Sequence, residues 1–327
     1  FPAPPPGKMT GNSVPLTNAD DEPRGSARQR RGRSTVLILV TNDDGIYAPG
    51  LASLAEALRG LGEVCIVAPA TEQSGVGHSI TYLTPLIAKE VYHGPNRWGW
   101  AVEGSPADCV KIGIKEFCPR TPDLIVSGIN SGLNAGINVL YSGTVAAAIE
   151  GAFFGITSAA VSLEFDEQAD YDRAAQLACR VIARILAQKG PNPQLFNINI
   201  PKAALTHESP TVAAVPMNVT RYADSFERRA DPWGRSYYWL KGGPPSHPPG
   251  VETDLSALAR GCITITPLDY DLTRRDVLAA MQQWTFDLRT TDANGRESAD
   301  RPPRDPPVRP VVLSKKSIRP GHDRTTS

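Results

Sequence analysis

Two adjacent carboxylates, Asp43 and Asp44, are the residues of this chain best placed to do chemistry. They follow an unbroken apolar run, residues 36–40, by way of Thr41 and Asn42, and Gly45 closes the group. Such a pair supplies the hard anionic oxygens that Mg2+ or Mn2+ prefers. An isolated Asp-Asp-Gly can equally be a solvated turn. Further along, Ser74 and Asn130 offer neutral oxygens that would complete a hard-cation shell without overcharging it. Ser142-Gly143-Thr144 stands just before a helix of small residues, where free N–H groups and the positive end of the dipole suit a phosphate. The same residues could simply cap that helix.

The candidate metal ligands are therefore Asp43, Asp44, Ser74 and Asn130, for one Mg2+ or Mn2+ per subunit. Asn130, Gly132, Ser142, Gly143 and Thr144 are the candidate phosphate contacts, and Asp43 and Asp44 the candidate catalytic groups. A metal beside a phosphate cradle, with no carrier cofactor, points to metal-assisted phosphoester hydrolysis. His78, within SGVGHS, is open to two readings, a loop hydrogen-bonder or an acid/base. Other chemistries fit less well. No G-x-x-x-x-G-K-[ST] occurs, and no G-x-G-x-x-G follows the first apolar run. The histidines form no zinc pattern. The D-x-D of aspartyl-phosphate phosphatases fails, because Gly45 and Ile46 stand two residues after Asp43 and Asp44.

These residues need elements to hold them. The run 36–40 lacks alternation, as a strand buried on both faces does. Pro49 opens a helix through Leu51, Leu54, Ala55, Leu58 and Leu61, ended by Gly60 and Gly62. Strands are expected at 64–68, 123–127, 159–163, 196–200 and 261–268, and helices at 108–117, 145–154 and 171–188, with a Gly- and Ser-rich loop over 69–81. Repeated βα units give an α/β fold, a three-layer Rossmann-like core with a mostly parallel sheet. In such sheets ligands bind outside the carboxyl ends of the strands, where the acidic pair falls. Short β-like runs at 211–215 and 236–240, among aromatics and polar turns, suggest a C-terminal β-hairpin arm that mediates dimer contacts.

The core is expected over about 35–200 and the arm over about 201–288, one domain spanning 35–288. The segments 1–34 and 289–327 are rich in Pro, Gly and charge, and are expected to be disordered tails. Charge balances, with 34 basic and 34 acidic residues, which argues against nucleic acid as a partner. No stretch reaches the length of a membrane span, and FPAPPPGK lacks the apolar core of a secretory signal. Five scattered cysteines without a C-x-x-C pair read as reduced thiols, and so as a cytoplasmic protein.

The segments ILVTNDDGIYAPGL, VAPATEQSGVGHSIT, GSPADCV, PDLIVSGINSGLNAGINVLYSGTVAAAIEG and TDLSALARGCITITPL closely resemble, in this order, the SurE family of survival-protein 5′/3′-nucleotidases. Ser105 stands where the family has Thr, keeping the hydroxyl, and Cys262 where it usually has an aromatic. The two tails are a further departure. The resemblance implies a Rossmann-like core with an arm exchanged in a homodimer or homotetramer. It implies metal-dependent hydrolysis of nucleoside 5′-monophosphates, and of 3′-monophosphates as a wider expectation. Its metal ligands map onto Asp43, Asp44, Ser74 and Asn130. The alternative is a nucleotide sensor that binds without hydrolysis; the intact ligand set argues against it.

Overall fold

A computed structural model describes residues 35–220, 224–242 and 250–286. The two expected tails lie outside the described residues. The chain divides into two compact units, Phe1–Tyr270 and Asp271–Ser327.

Strand β1 (Leu37–Thr41) is buried along its whole length, as its unbroken apolar run requires. Helix α1 (Pro49–Leu58) follows, with Pro at its first turn and Leu51, Leu54, Ala55 and Leu58 buried on one face. Then come β2 (Glu63–Pro69), β3 (Ala88–His93), β4 (Asn96–Val102) and α2 (Pro106–Ile112), which passes into a π-helical turn over Gly113–Phe117. β5 (Leu124–Ser131) leads through a 3-10 helix, Gly136–Tyr141, to α3 (Gly143–Phe153) and β6 (Thr157–Leu163). α4 (Tyr171–Gln188), β7 (Leu195–Ile200), α5 (Lys202–Leu205) and β8 (Val212–Ala214) follow. β9 (Asp224–Ala230) and β10 (Ser236–Gly242) form a hairpin, and α6 (Asp254–Ala259) and β11 (Ile263–Leu268) complete the first unit.

Nine strands form one sheet in the order β3-β4-β2-β1-β5-β6-β7-β11-β8. β1 pairs in parallel with β2 on one side and β5 on the other, so the acidic pair leaves the sheet at its centre. β3 and β11 run antiparallel to their inner neighbours. Helices α1 and α4 pack together on one face, and α2 with α3 on the other. Strand alternation divides β1 between them. Ile38 and Val40 enter the core with Leu51, Leu54 and Leu177, while Leu39 joins Cys109, Val110 and Ala147. This is the three-layer, mostly parallel α/β core that the sequence leads one to expect, with its small antiparallel hairpin.

Apolar pattern does not mark every strand. β3 buries only Val91, and β9, DSFERRA, is almost wholly charged or polar. Both are outer ribbons whose pairing rests on backbone bonds and cross-strand charge pairs rather than on a buried face. The helix expected over 108–117 is α2 plus the π turn; Ser105 caps it with a capping box to Asp108.

The second unit contributes α7 (Arg275–Met281), which buries no residue, and a Trp284–Phe286 ring contact with centroids 6.0 Å apart. Among the described residues no helix is long and apolar enough to cross a membrane.

Candidate metal and phosphate site

The turn after β1 is built by its own side chains. Asn42 Nδ2 donates to the Gly45 carbonyl at 2.9 Å, and the Gly45 N–H returns to Asn42 Oδ1 at 3.2 Å. This closed ring fixes the direction in which Asp43 and Asp44 leave the strand. Asp43 is 4% exposed. Its carbonyl accepts from the Gln73 N–H at 2.8 Å, which ties the 69–81 loop to the turn. Its carboxylate accepts the Thr144 hydroxyl, and the Thr144 backbone N–H also acts on it.

That contact relates two of the predicted sites to each other. Ser142 is the N-cap of α3, its hydroxyl accepting from the Val145 N–H at 3.1 Å. Gly143 lies against Asp43: a Cβ there would stand 3.0 Å from Asp43 Cβ and 3.1 Å from Oδ2. The anion seated at the start of α3 is therefore the Asp43 carboxylate itself.

Asp44 is half-buried and accepts from the Ser131 N–H at 3.2 Å, joining the ends of β1 and β5. β5 has an irregular register between Ser127 and Asn130. Gly128, at φ +139, allows it, because a Cβ there would sit 2.2 Å from the Val161 carbonyl oxygen. Asn130 Nδ2 donates to the Gly132 carbonyl at 2.6 Å, leaving Oδ1 unengaged among the described residues. The Gly132 N–H is spent on the Leu163 carbonyl at 2.8 Å. Ser74 is exposed and its hydroxyl donates to Glu72 at 2.6 Å; no bond joins it to either acid.

Electrostatics set this place apart. Burial pushes the Asp43 carboxyl above its ordinary range, with the Thr144 hydroxyl opposing. Asp44 is pushed up to about 6, first by burial and then by the negative charge of Asp43. Glu72 pushes both in the same direction, and among the described residues no basic side chain acts on either. A buried and a half-buried acid repelling one another, with neutral oxygens nearby, fit a divalent cation as a balancing charge. Among the described residues no three His, Cys, Asp or Glu side chains group as a metal site, so a centre here rests on two carboxylates and neutral oxygens.

Two groups escaped the sequence reading. Glu72 is one; its only signal is a carboxylate two residues before Ser74 in the same loop. Glu150 is the other, a carboxylate on a helix of small residues that is 2% exposed. It accepts from Lys111 at 2.9 Å and bonds His78 Nε2 at 2.8 Å, and the His78 ring stacks on Phe153. In this geometry His78 fastens the 69–81 loop to α3.

Comparison with known proteins bears on the family and the fold. The family model described as Survival protein SurE matches residues 38–227. The chain is 57% identical to the 5′-nucleotidase SurE of Rhodopirellula baltica over 250 residues, 76% of this chain and 98% of that protein. It is 43% identical to the 5′-nucleotidase SurE of Carboxydothermus hydrogenoformans over 264 residues, 79% of this chain and 99% of the relative. The crystal structure of a SurE protein from Aquifex aeolicus superposes with a TM-score of 0.66 at 33% identity, covering 75% of this chain and 98% of that one.

Proposed function

The chain belongs to the SurE family, and on that premise we propose that it is a 5′-nucleotidase hydrolysing nucleoside 5′-monophosphates, with 3′-monophosphates as further substrates. The observation that carries the reading is the pair of buried Asp43 and half-buried Asp44, held at the centre of the sheet with no cationic partner among the described residues. Asp43 and Asp44, completed by Ser74 and Asn130, would hold one Mg2+ or Mn2+ per subunit. When bound, the metal supplies Lewis-acid polarisation of the phosphoryl group and a lowered pKa for the attacking water.

The chain's own residues do the rest. Thr144 and the start of α3 keep Asp43 oriented and favour its ionised form. Gly143, without a side chain, lets the Asp43 carboxylate lie against the start of α3. Asn130 Oδ1 is free to take a ligand because its amide nitrogen is held by Gly132. The Ser131 N–H steadies Asp44 at the end of β1.

The β9–β10 hairpin, with Phe226, Trp239 and Leu240 exposed, is the proposed arm of a homodimer or homotetramer. Five free thiols fit a cytoplasmic enzyme. Purified protein incubated with AMP, GMP, CMP and UMP, each with Mg2+ or Mn2+, should release phosphate and stop on chelation. Nucleotide binding without release under every metal would instead identify a sensor.

A further inference from the structure

We propose that the hollow between the 69–81 loop and the end of β4 is the nucleoside subsite, and that Gln73 and Glu103 there read a guanine base; this rests on the nucleotidase reading above. The hollow has a volume of about 530 Å3 and is walled by Thr71, Gln73, Ser79, Thr81, Glu103 and Ser105. It is larger than a single base needs and leaves room for the ribose.

The walls are preformed. The Ala70 N–H bonds the Val102 carbonyl and the Gln73 N–H bonds the Asp43 carbonyl, each at 2.8 Å. On the returning limb, the Ser105 hydroxyl donates to the Ser79 carbonyl at 2.7 Å. The Thr81 N–H reaches both carboxylate oxygens of Asp108 at 3.0 Å. Asp108 is 2% exposed, so this limb is pinned to the core. A largely preformed pocket with a few placed polar groups is the usual form of a small-ligand site.

Its position matches its proposed occupant. Gln73 lines the hollow, and its backbone N–H bonds the Asp43 carbonyl. Ser105 is followed by Pro106, whose Cγ lies 3.3 Å from where a Gly143 Cβ would be. The hollow therefore shares walls with the acid site. β4 lies beyond β2 from β1, two strand steps, or about 9.6 Å in all. That is the scale on which a ribose separates a phosphate from its base.

The chemistry selects the base. Glu103 Oε1 accepts from Lys89 at 3.0 Å, which leaves Oε2 as acceptor. Guanine alone among the common bases presents two adjacent N–H donors, N1–H and N2–H, on its pairing edge, which a carboxylate complements. The Gln73 amide can give its N–H to the guanine O6 or N7 acceptors. A site built to bond a base edge discriminates against one that lacks the donors.

The test compares wild type with Glu103→Gln and Gln73→Ala on GMP, AMP, UMP and ribose 5-phosphate with Mn2+. Wild type should prefer GMP over ribose 5-phosphate in kcat/KM, and Glu103→Gln should reduce that ratio at least tenfold, through KM. An unchanged ratio, or an equal fall on ribose 5-phosphate, overturns the subsite. Guanosine binding by calorimetry, without metal or turnover, separates the two hypotheses. If no phosphate ester is cleaved, the nucleotidase reading fails, while guanosine binding weakened at least fivefold in Glu103→Gln still supports the subsite. Equal guanosine binding by both proteins overturns it.

Discussion

Asp43, just after β1, is a carboxylic acid only 4% exposed; Phe226 and Leu240, facing one another on the β9–β10 hairpin, are apolar and 68% and 62% exposed. Each region inverts the ordinary rule for burial. At the sheet centre the acid is retained at an energetic cost, because desolvation and a neighbouring acid both oppose its ionisation. On the hairpin the apolar groups are retained with no core beneath them, Tyr238 and Trp239 included at 58% exposure each. A cation would relieve the first cost, and another protein surface the second. The centre should therefore fail in catalysis when altered, and the hairpin in assembly.

The largest expected effect is at the centre. Asp43→Asn keeps the shape of the side chain and can still meet the Thr144 hydroxyl, but removes the charge. Loss of a group supporting a metal ligand typically costs 10–100-fold, and loss of a ligand's charge should exceed that. Turnover of nucleoside monophosphates should fall by more than about 100-fold, with an unchanged circular dichroism spectrum. Turnover within a few-fold of wild type would remove Asp43 from the site.

Next comes Thr144→Val. It withdraws the hydroxyl that favours the ionised form of Asp43, the largest influence opposing burial there. Asp43 then holds its proton to higher pH, and a metal must displace that proton. Mn2+ affinity measured by calorimetry should drop by about 10–100-fold, the range for a supporting contact. The gap should narrow as pH rises. Affinity unchanged at every pH would mean that Thr144 only packs.

How much of this was legible in the sequence differs between the two regions. The buried strands announced themselves, since Leu37 to Thr41 must be apolar on both faces to lie at the sheet centre. Helix α4 was legible for the opposite reason, its amphipathic spacing over residues 171–188. β9 was not, because a two-stranded ribbon with both faces open imposes no apolar period on DSFERRA. At the site, Asp43, Asp44 and Asn130 were readable as residue types placed after strands. What Thr144 does was not. That its hydroxyl is given to Asp43 depends on a contact 101 residues apart in the chain. Glu72 and Glu150 carry no pattern; only the folded loop shows which groups they meet.

A smaller effect sharpens the cost at the centre. The folded-state pKa of Asp44 is raised to about 6 from 3.8. Between those values the folded state binds more protons than the unfolded one, so stability falls as pH rises through that window. Below about pH 4 both states are protonated and the cost vanishes. Metal-free Asp44→Asn should therefore melt higher than wild type at pH 7 and converge with it near pH 4. Added Mn2+ should raise the wild-type melting temperature at pH 7 and leave the variant nearly unmoved. A variant less stable than wild type at pH 7 would show that Asp44 serves the fold instead.

The smallest effect on the subunit itself belongs to the hairpin. Phe226 and Leu240 sit in register opposite each other, and Trp239 opposite Glu227, so the aromatics occupy both faces of the ribbon. None rests on a buried core, so Phe226→Ser with Trp239→Ser should change subunit stability by about 0.5 kcal/mol or less per site. The same pair should lower the mass seen by sedimentation, because an exposed apolar patch of this kind is stabilised only by a second surface. The comparison is sharpest if the monomer keeps metal affinity at Asp43 and Asp44, since the partners of both carboxylates, Ser131 and Thr144, lie on the chain's own β5 and α3. If mass is unchanged while metal affinity collapses, the hairpin belongs to the site and the division between the two regions is wrong.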